Sequence, residues 1–161
     1  MREIGGYFGL LENSDRSFYP QAIAVNSGRN AIRYVLRIKQ IKEIYLPYYT
    51  CPVVWDAVRD EGCKINFYHL DENFLPVEPV HKDAVILYTN YFGLCKRQIL
   101  TMAEKYQNLI VDNAQGFYMP ECGIGSCYSP RKFFGVPDGG YAMISGKESF
   151  FFTGRSFQWA T

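Results

Sequence analysis

A chain of 161 residues suits one domain with room for a substantial core. Its 17 basic and 16 acidic side chains leave a formal charge of +1, which removes any electrostatic reason to expect a nucleic-acid or acidic-membrane partner. Five cysteines, an odd number without a C-x-x-C pair and without clustered histidines, argue against a disulfide framework or a metal site and for a reducing, cytoplasmic compartment.

No apolar run approaches the roughly 18 residues that span a bilayer, and the opening MREIGGYFGL lacks the apolar core of a signal peptide. Aromatic residues are 17% of the chain, and the stretch FFFTGRSFQW would promote association if left bare. The expectation is burial of such surface against a second copy of the chain.

In chain order, seven short apolar runs bounded by turn residues predict strands: QAIAVNSG, EIYLP, KINFYHLD, DAVILYTN, NLIVDNA, SCYSP and GGYAMISG. Helical spacing marks the intervals between them. In NAIRYVLRIKQ the apolar positions 32, 35, 36 and 38 fall largely on one face, and CPVVWDAVRDEG and CKRQILTMAEKYQ behave similarly. Strands alternating with such helices predict an α/β fold: a mostly parallel seven-stranded sheet with helices on both faces. Between SCYSP and YAMIS there is no room for a full helix, so one strand near the end is expected to run antiparallel.

In a sheet of this kind, ligands lie beyond the carboxyl ends of the strands, where four features fall. The first is NSGRNA, in which Ser27 and Gly28 meet a helix start that suits an anion such as phosphate, or simply cap the helix. The second is Asp112, which closes the very apolar run LIVD and asks for a positive partner, or caps the next turn. Asn90 ends another apolar run and offers an amide to a ligand oxygen, or serves the loop alone.

The fourth is SPRKFFGVPDGG, residues 129 to 140, whose proline and glycines hold Lys132 on a short rigid connection. An amine in such surroundings can attack a carbonyl to form a Schiff base, although a solvated surface lysine is the commoner arrangement. Taken together, the four describe the handles of pyridoxal phosphate: a phosphate, a ring nitrogen, an aldehyde and a ring oxygen.

At these motifs the sequence resembles the DegT/DnrJ/StrS-type aminotransferases, a branch of the fold type I pyridoxal-phosphate enzymes. The resemblance runs from IGGYFGLLE onward with the motifs in order. It implies that SGRNA is the phosphate-binding turn, with Ser27, Gly28 and Arg29 in that role. DNAQ matches a D-x-A-Q/H motif, which implies Asp112 as partner of the ring nitrogen and Gln115 as a contact near the ring oxygen. Lys132 is then the Schiff-base lysine and proton shuttle, Ser129 touches the phosphate, and Tyr49 in LPYYTCP supplies the stacked ring. The family more often carries His where this chain has Asn90.

The implied activity is transfer of an amino group from a donor such as glutamate to a keto-sugar or other carbonyl acceptor, by a homodimer. Family members are more than twice as long and carry a C-terminal small domain. Residues 1–161 are therefore expected to form a single cofactor-binding large domain, with the small domain absent and the family's G-x-N-x-R segment missing. The alternative is a truncated, non-catalytic homologue acting as an accessory or interaction subunit.

Overall fold

The computed structural model describes residues 17–146. The segments IGGYFGLLE and FFFTGRSFQW lie outside the described residues. Within them the chain forms β1 (Ile23–Val25), α1 (Gly28–Ile38), β2 (Glu43–Pro47), α2 (Pro52–Asp60) and β3 (Lys64–Tyr68). There follow β4 (Val85–Thr89), α3 (Lys96–Lys105), β5 (Asn108–Asn113), β6 (Gly125–Tyr128) and β7 (Gly140–Ile144), with short 3-10 turns at Tyr91–Gly93 and Pro130–Lys132.

The strands make one seven-stranded sheet in the order β1-β7-β6-β5-β4-β2-β3. From β3 across to β6 every pairing is parallel, whereas β7 runs antiparallel to both β6 and β1. A parallel pairing of β6 with β7 would need a long crossover, and the connection carrying Lys132 is too short to provide one. The sequence-based expectation of a mostly parallel sheet with one antiparallel strand therefore describes the fold.

The central strands are apolar on both faces because helices cover both. On one side Leu87, Ile110, Cys127 and Ala142 pack against Ala31, Ile32, Val35 and Leu36 of α1 and Val54 and Val58 of α2. On the other, Ile86, Tyr88, Leu109 and Val111 meet Ile99 and Met102 of α3. Toward β6 and β7 that second face is closed by aromatic loop residues, with Phe117, Tyr128 and Met143 at its centre.

Helix α1 begins at Ser27, whose hydroxyl accepts a hydrogen bond from the Asn30 N–H at 3.3 Å. Of its expected apolar positions Ile32, Val35 and Leu36 are buried and Ile38 is half-buried, while Ala31, seven residues earlier on the same face, is buried as well. Arg33 and Arg37 both reach Glu61 beyond the end of α2, at 2.6 and 2.5 Å. Burial works against the Glu61 charge, but these two guanidiniums hold its carboxyl below the usual range.

One predicted strand is shorter than expected. KINFYHLD leaves the sheet after Tyr68, because Asp71 Oδ1 accepts from the N–H groups of Asn73 and Leu75 and folds the chain back.

Candidate functional site

Because β7 alone opposes the others, the residues that follow β1, β2, β4, β5 and β6 and those that precede β7 collect on one edge of the sheet. That edge carries every residue singled out in the sequence.

The glycines of SPRKFFGVPDGG answer to packing. A β-carbon on Gly140 would stand 2.3 Å from the Ser27 carbonyl oxygen, so only glycine lets β7 start against the beginning of α1. Gly139 N–H donates to the Asn26 carbonyl at 2.8 Å and closes the same corner. Pro130 opens the 3-10 turn, in which the N–H groups of Lys132 and Phe133 return to the carbonyls of Ser129 and Pro130. Lys132 is thus exposed on a backbone whose hydrogen bonds are internal.

Ser129 is buried, and its hydroxyl does not cap the turn that follows. Its Cβ stands 3.3 Å from where a β-carbon on Gly28 would be. Ser27, Gly28 and Ser129 therefore meet at the N-terminus of α1, where free N–H groups favour an anion. Arg29 is exposed on the first turn of the same helix.

Asp112, the penultimate residue of β5, has 7% of its surface exposed, and its Oδ1 accepts from the Ala114 N–H at 2.9 Å. Burial pushes its carboxyl up, opposed by the Ala114 N–H and by the positive charge of Lys132. The lysine and the carboxylate therefore lie within electrostatic reach of each other. In register, Asp112 pairs with Thr89 on β4 and Cys127 on β6. Burial, and the Asp112 charge beside it, push the Cys127 thiol well up, which makes it an inert wall.

Gln115 is exposed, with its Oε1 accepting from the Phe92 N–H at 2.9 Å. Tyr49 is also exposed, and its ring stacks on Tyr91 with centroids 5.5 Å apart. The Tyr91 hydroxyl donates to the Tyr49 carbonyl at 2.6 Å, and Thr50 and Thr89 share a hydrogen bond of 3.0 Å. These links draw the end of β2 over the end of β4.

Asn90 reaches the same edge but is turned inward, 1% exposed. Its Nδ2 donates to Asn113 Oδ1 at 2.9 Å, and its Oδ1 accepts from the Cys95 N–H at 3.1 Å. Both ends of the amide expected to face a ligand oxygen are thus engaged by the protein.

Thr89, Cys127 and Asn113 were not anticipated from the sequence. Strand alternation carries the signal for the first two, since a parallel partner of Asp112 shares its face.

Beside Gln115 opens a cleft of about 360 Å³ lined by Phe92, Lys96, Tyr118 and Phe133 among others. Phe133 adjoins Lys132, so the cleft lies next to the lysine turn. Among the described residues no cluster of three or more His, Cys, Asp or Glu is disposed to hold a metal ion.

The fold is similar to that of solved aminotransferases. Spr1654 of Streptococcus pneumoniae, assigned as a sugar aminotransferase and solved with PLP, superposes with a TM-score of 0.63 at 15% identity, over 80% of this chain and 42% of that one. A DegT DnrJ EryC1 StrS aminotransferase from Brucella abortus gives 0.62 at 20% identity, over 79% and 42%. DesV of S. venezuelae, solved with a ketimine intermediate, gives 0.61 at 20%, over 78% and 40%. The chain thus spans about two fifths of the length of these structures. No family model and no curated protein matches it.

Proposed function

We propose that the chain is the cofactor-binding part of a PLP-dependent aminotransferase of the DegT/DnrJ/StrS type. It would move an amino group from a donor such as glutamate to a keto-sugar or other carbonyl acceptor. The observation that carries this reading is the convergence on one sheet edge of the buried Asp112 carboxyl, the exposed Lys132 turn and the Ser27, Gly28 and Ser129 corner. Solved sugar aminotransferases of the same fold, one of them in PLP and PMP forms, support it.

The residues present fit the group. A carboxylate this buried, with one backbone hydrogen bond and burial opposing its charge, suits a cationic ring nitrogen. Ser27, Gly28, Arg29 and Ser129 surround a helix N-terminus suited to phosphate. Bound there, pyridoxal phosphate supplies an electrophilic carbonyl and an electron-withdrawing ring.

The chain's own residues do the rest. Asp112 holds a proton on the ring nitrogen. Gln115, with Oε1 committed to Phe92, presents its Nε2 as a donor to the ring oxygen. Lys132 Nζ would hold the group at its carbonyl carbon and, when free, would take up a proton at the donor's Cα and return it. Cys127 and Thr89, flanking Asp112 in the sheet, limit water beside its carboxylate. The free cysteines accord with a reducing cytoplasm, and the exposed Phe92, Leu94 and Tyr118 on this edge accord with a homodimer. No helix among the described residues is long and apolar enough to cross a membrane.

The test is spectroscopic. Purified chain with added pyridoxal phosphate should turn yellow, bleach with borohydride and retain a pyridoxyl mass on Lys132, while Lys132→Ala should do none of these. Protein that stays colourless overturns the reading. Colour without transfer from glutamate to any of a panel of keto-sugars would select the accessory-subunit alternative.

A further inference from the structure

Asn90 is buried at the site, 1% exposed, yet it faces away from the ligand edge. Four hydrogen bonds converge on it. Its N–H donates to the Asp112 carbonyl at 2.9 Å, and its carbonyl accepts from Gly93 N–H at 3.2 Å. Its side chain joins Cys95 N–H and Asn113 Oδ1. A backbone N–H can only donate, so Cys95 fixes which end of the amide is oxygen and leaves Nδ2 for Asn113.

The loop that Asn90 grips is the one that presents Asp112 and Gln115. Asn113 N–H and O lie within it, Gly116 N–H closes back on the Asn113 carbonyl at 2.9 Å, and Ala114 N–H binds Asp112 Oδ1. The fit is tight enough to require glycine: a β-carbon on Gly116 would stand 2.2 Å from Asn90 Nδ2. From the other loop, Phe92 takes φ 56°, a backbone region disfavoured for an aromatic residue, and in that conformation its N–H meets Gln115 Oε1.

Stability alone does not account for the arrangement. Asn113 gives its Oδ1 to Asn90 while its own Nδ2 is buried without a partner. Two apolar residues of matching shape would avoid that unsatisfied group.

We propose that Asn90 is a positioning residue that clamps the 112–116 loop, so that the Asp112 carboxyl and the Gln115 amide face one ligand together. This rests on the proposed function, which supplies the ligand. The clamp acts on the ring end of the site; the phosphate corner at Ser27, Gly28 and Ser129 belongs to other elements.

Two arms test it. In the ligand-free chain, Asn90→Ala and Gly116→Ala should each speed hydrogen exchange of the Ala114 and Gly116 amides about tenfold, leaving amides of β2 and α1 unchanged. Gly116→Ala should add little once Asn90 is already alanine, since the two shortest contacts, with Asn90 Nδ2 and Cγ, are then gone and only the Gly93 Cα at 3.3 Å remains. Unchanged protection in both variants overturns the clamp, as does full additivity. If Asn90→Ala fails to fold, Gly116→Ala alone decides this arm.

In the loaded protein, each variant should weaken pyridoxal phosphate about tenfold. The loss should be smaller for 1-deaza-pyridoxal phosphate, which has no ring nitrogen for Asp112 to meet. Equal loss for both ligands would reduce Asn90 to general packing and overturn the proposal. A wild-type chain that takes up no pyridoxal phosphate removes the proposed function, and the clamp then stands or falls on the exchange arm.

Discussion

At the carboxyl ends of β4 and β5 two polar pairs sit side by side in the sequence, Thr89-Asn90 and Asp112-Asn113, and the sheet sends them to opposite sides. Thr89 and Asp112 lie in register on the side of α1, where the Asp112 carboxyl keeps a single hydrogen bond within the protein. Asn90 and Asn113 turn to each other, buried, with the loops locked across them. One side is left with an electrostatic demand and the other is nearly self-sufficient. The contrast teaches that at a strand end, residue type says less about role than the parity of its position, because alternation decides which group faces a ligand and which holds the frame.

Three substitutions break or sharpen that contrast. The largest effect is expected at Ile110, two residues before Asp112 and fully buried beneath the open side. Ile110→Ala should cost about 3 kcal/mol, read by urea unfolding. A loss under about 1 kcal/mol would mean that the floor of the open side yields readily and that its geometry comes from elsewhere.

An intermediate effect, of opposite sign, is expected at Asp112 itself. Burial raises the folded carboxyl's pKa above the unfolded value, so its favourable contribution is fully present below the unfolded pKa and is lost as pH rises through the folded one. Asp112→Asn keeps an oxygen for the Ala114 N–H and removes the charge. The ligand-free variant should melt a few degrees higher than wild type at pH 7, with the gap closing as pH falls toward about 4, near the unfolded value. The same variant should lose pyridoxal phosphate. A variant less stable at pH 7 would show that the carboxylate already has an adequate partner within the chain.

The smallest effect concerns Tyr106, on the α3 side, whose buried hydroxyl has no hydrogen-bond partner. Tyr106→Phe retains the ring beneath Lys105 and removes the unmet group, so unfolding free energy should change by less than about 0.5 kcal/mol or rise slightly. A larger loss would reveal a hidden polar contact and make that side less self-sufficient than its geometry indicates.

The class of fold was legible because residues 85–88 and 109–111 are apolar at every position, as strands covered on both faces must be. The antiparallel strand was legible from the shortness of the segment around Lys132. The inward turn of Asn90 was not, because the strand ends at Thr89, and whether a polar residue at such a boundary faces out or in depends on the loop opposite. Tyr49 was expected to stack on a ligand; its contact with the Tyr91 ring was not legible, because it joins loops far apart in sequence.

The insertion of β7 between β1 and β6 also sets an order of assembly. The phosphate corner at the start of α1 rests on Asn26, Ser27, Gly139 and Gly140, which come from opposite ends of the described chain. Contacts that close so long a loop form late. A nascent chain emerging from a ribosome can therefore build β2 to β5 and their helices first, but it has no anion-binding corner until the residues of β7 have been synthesised.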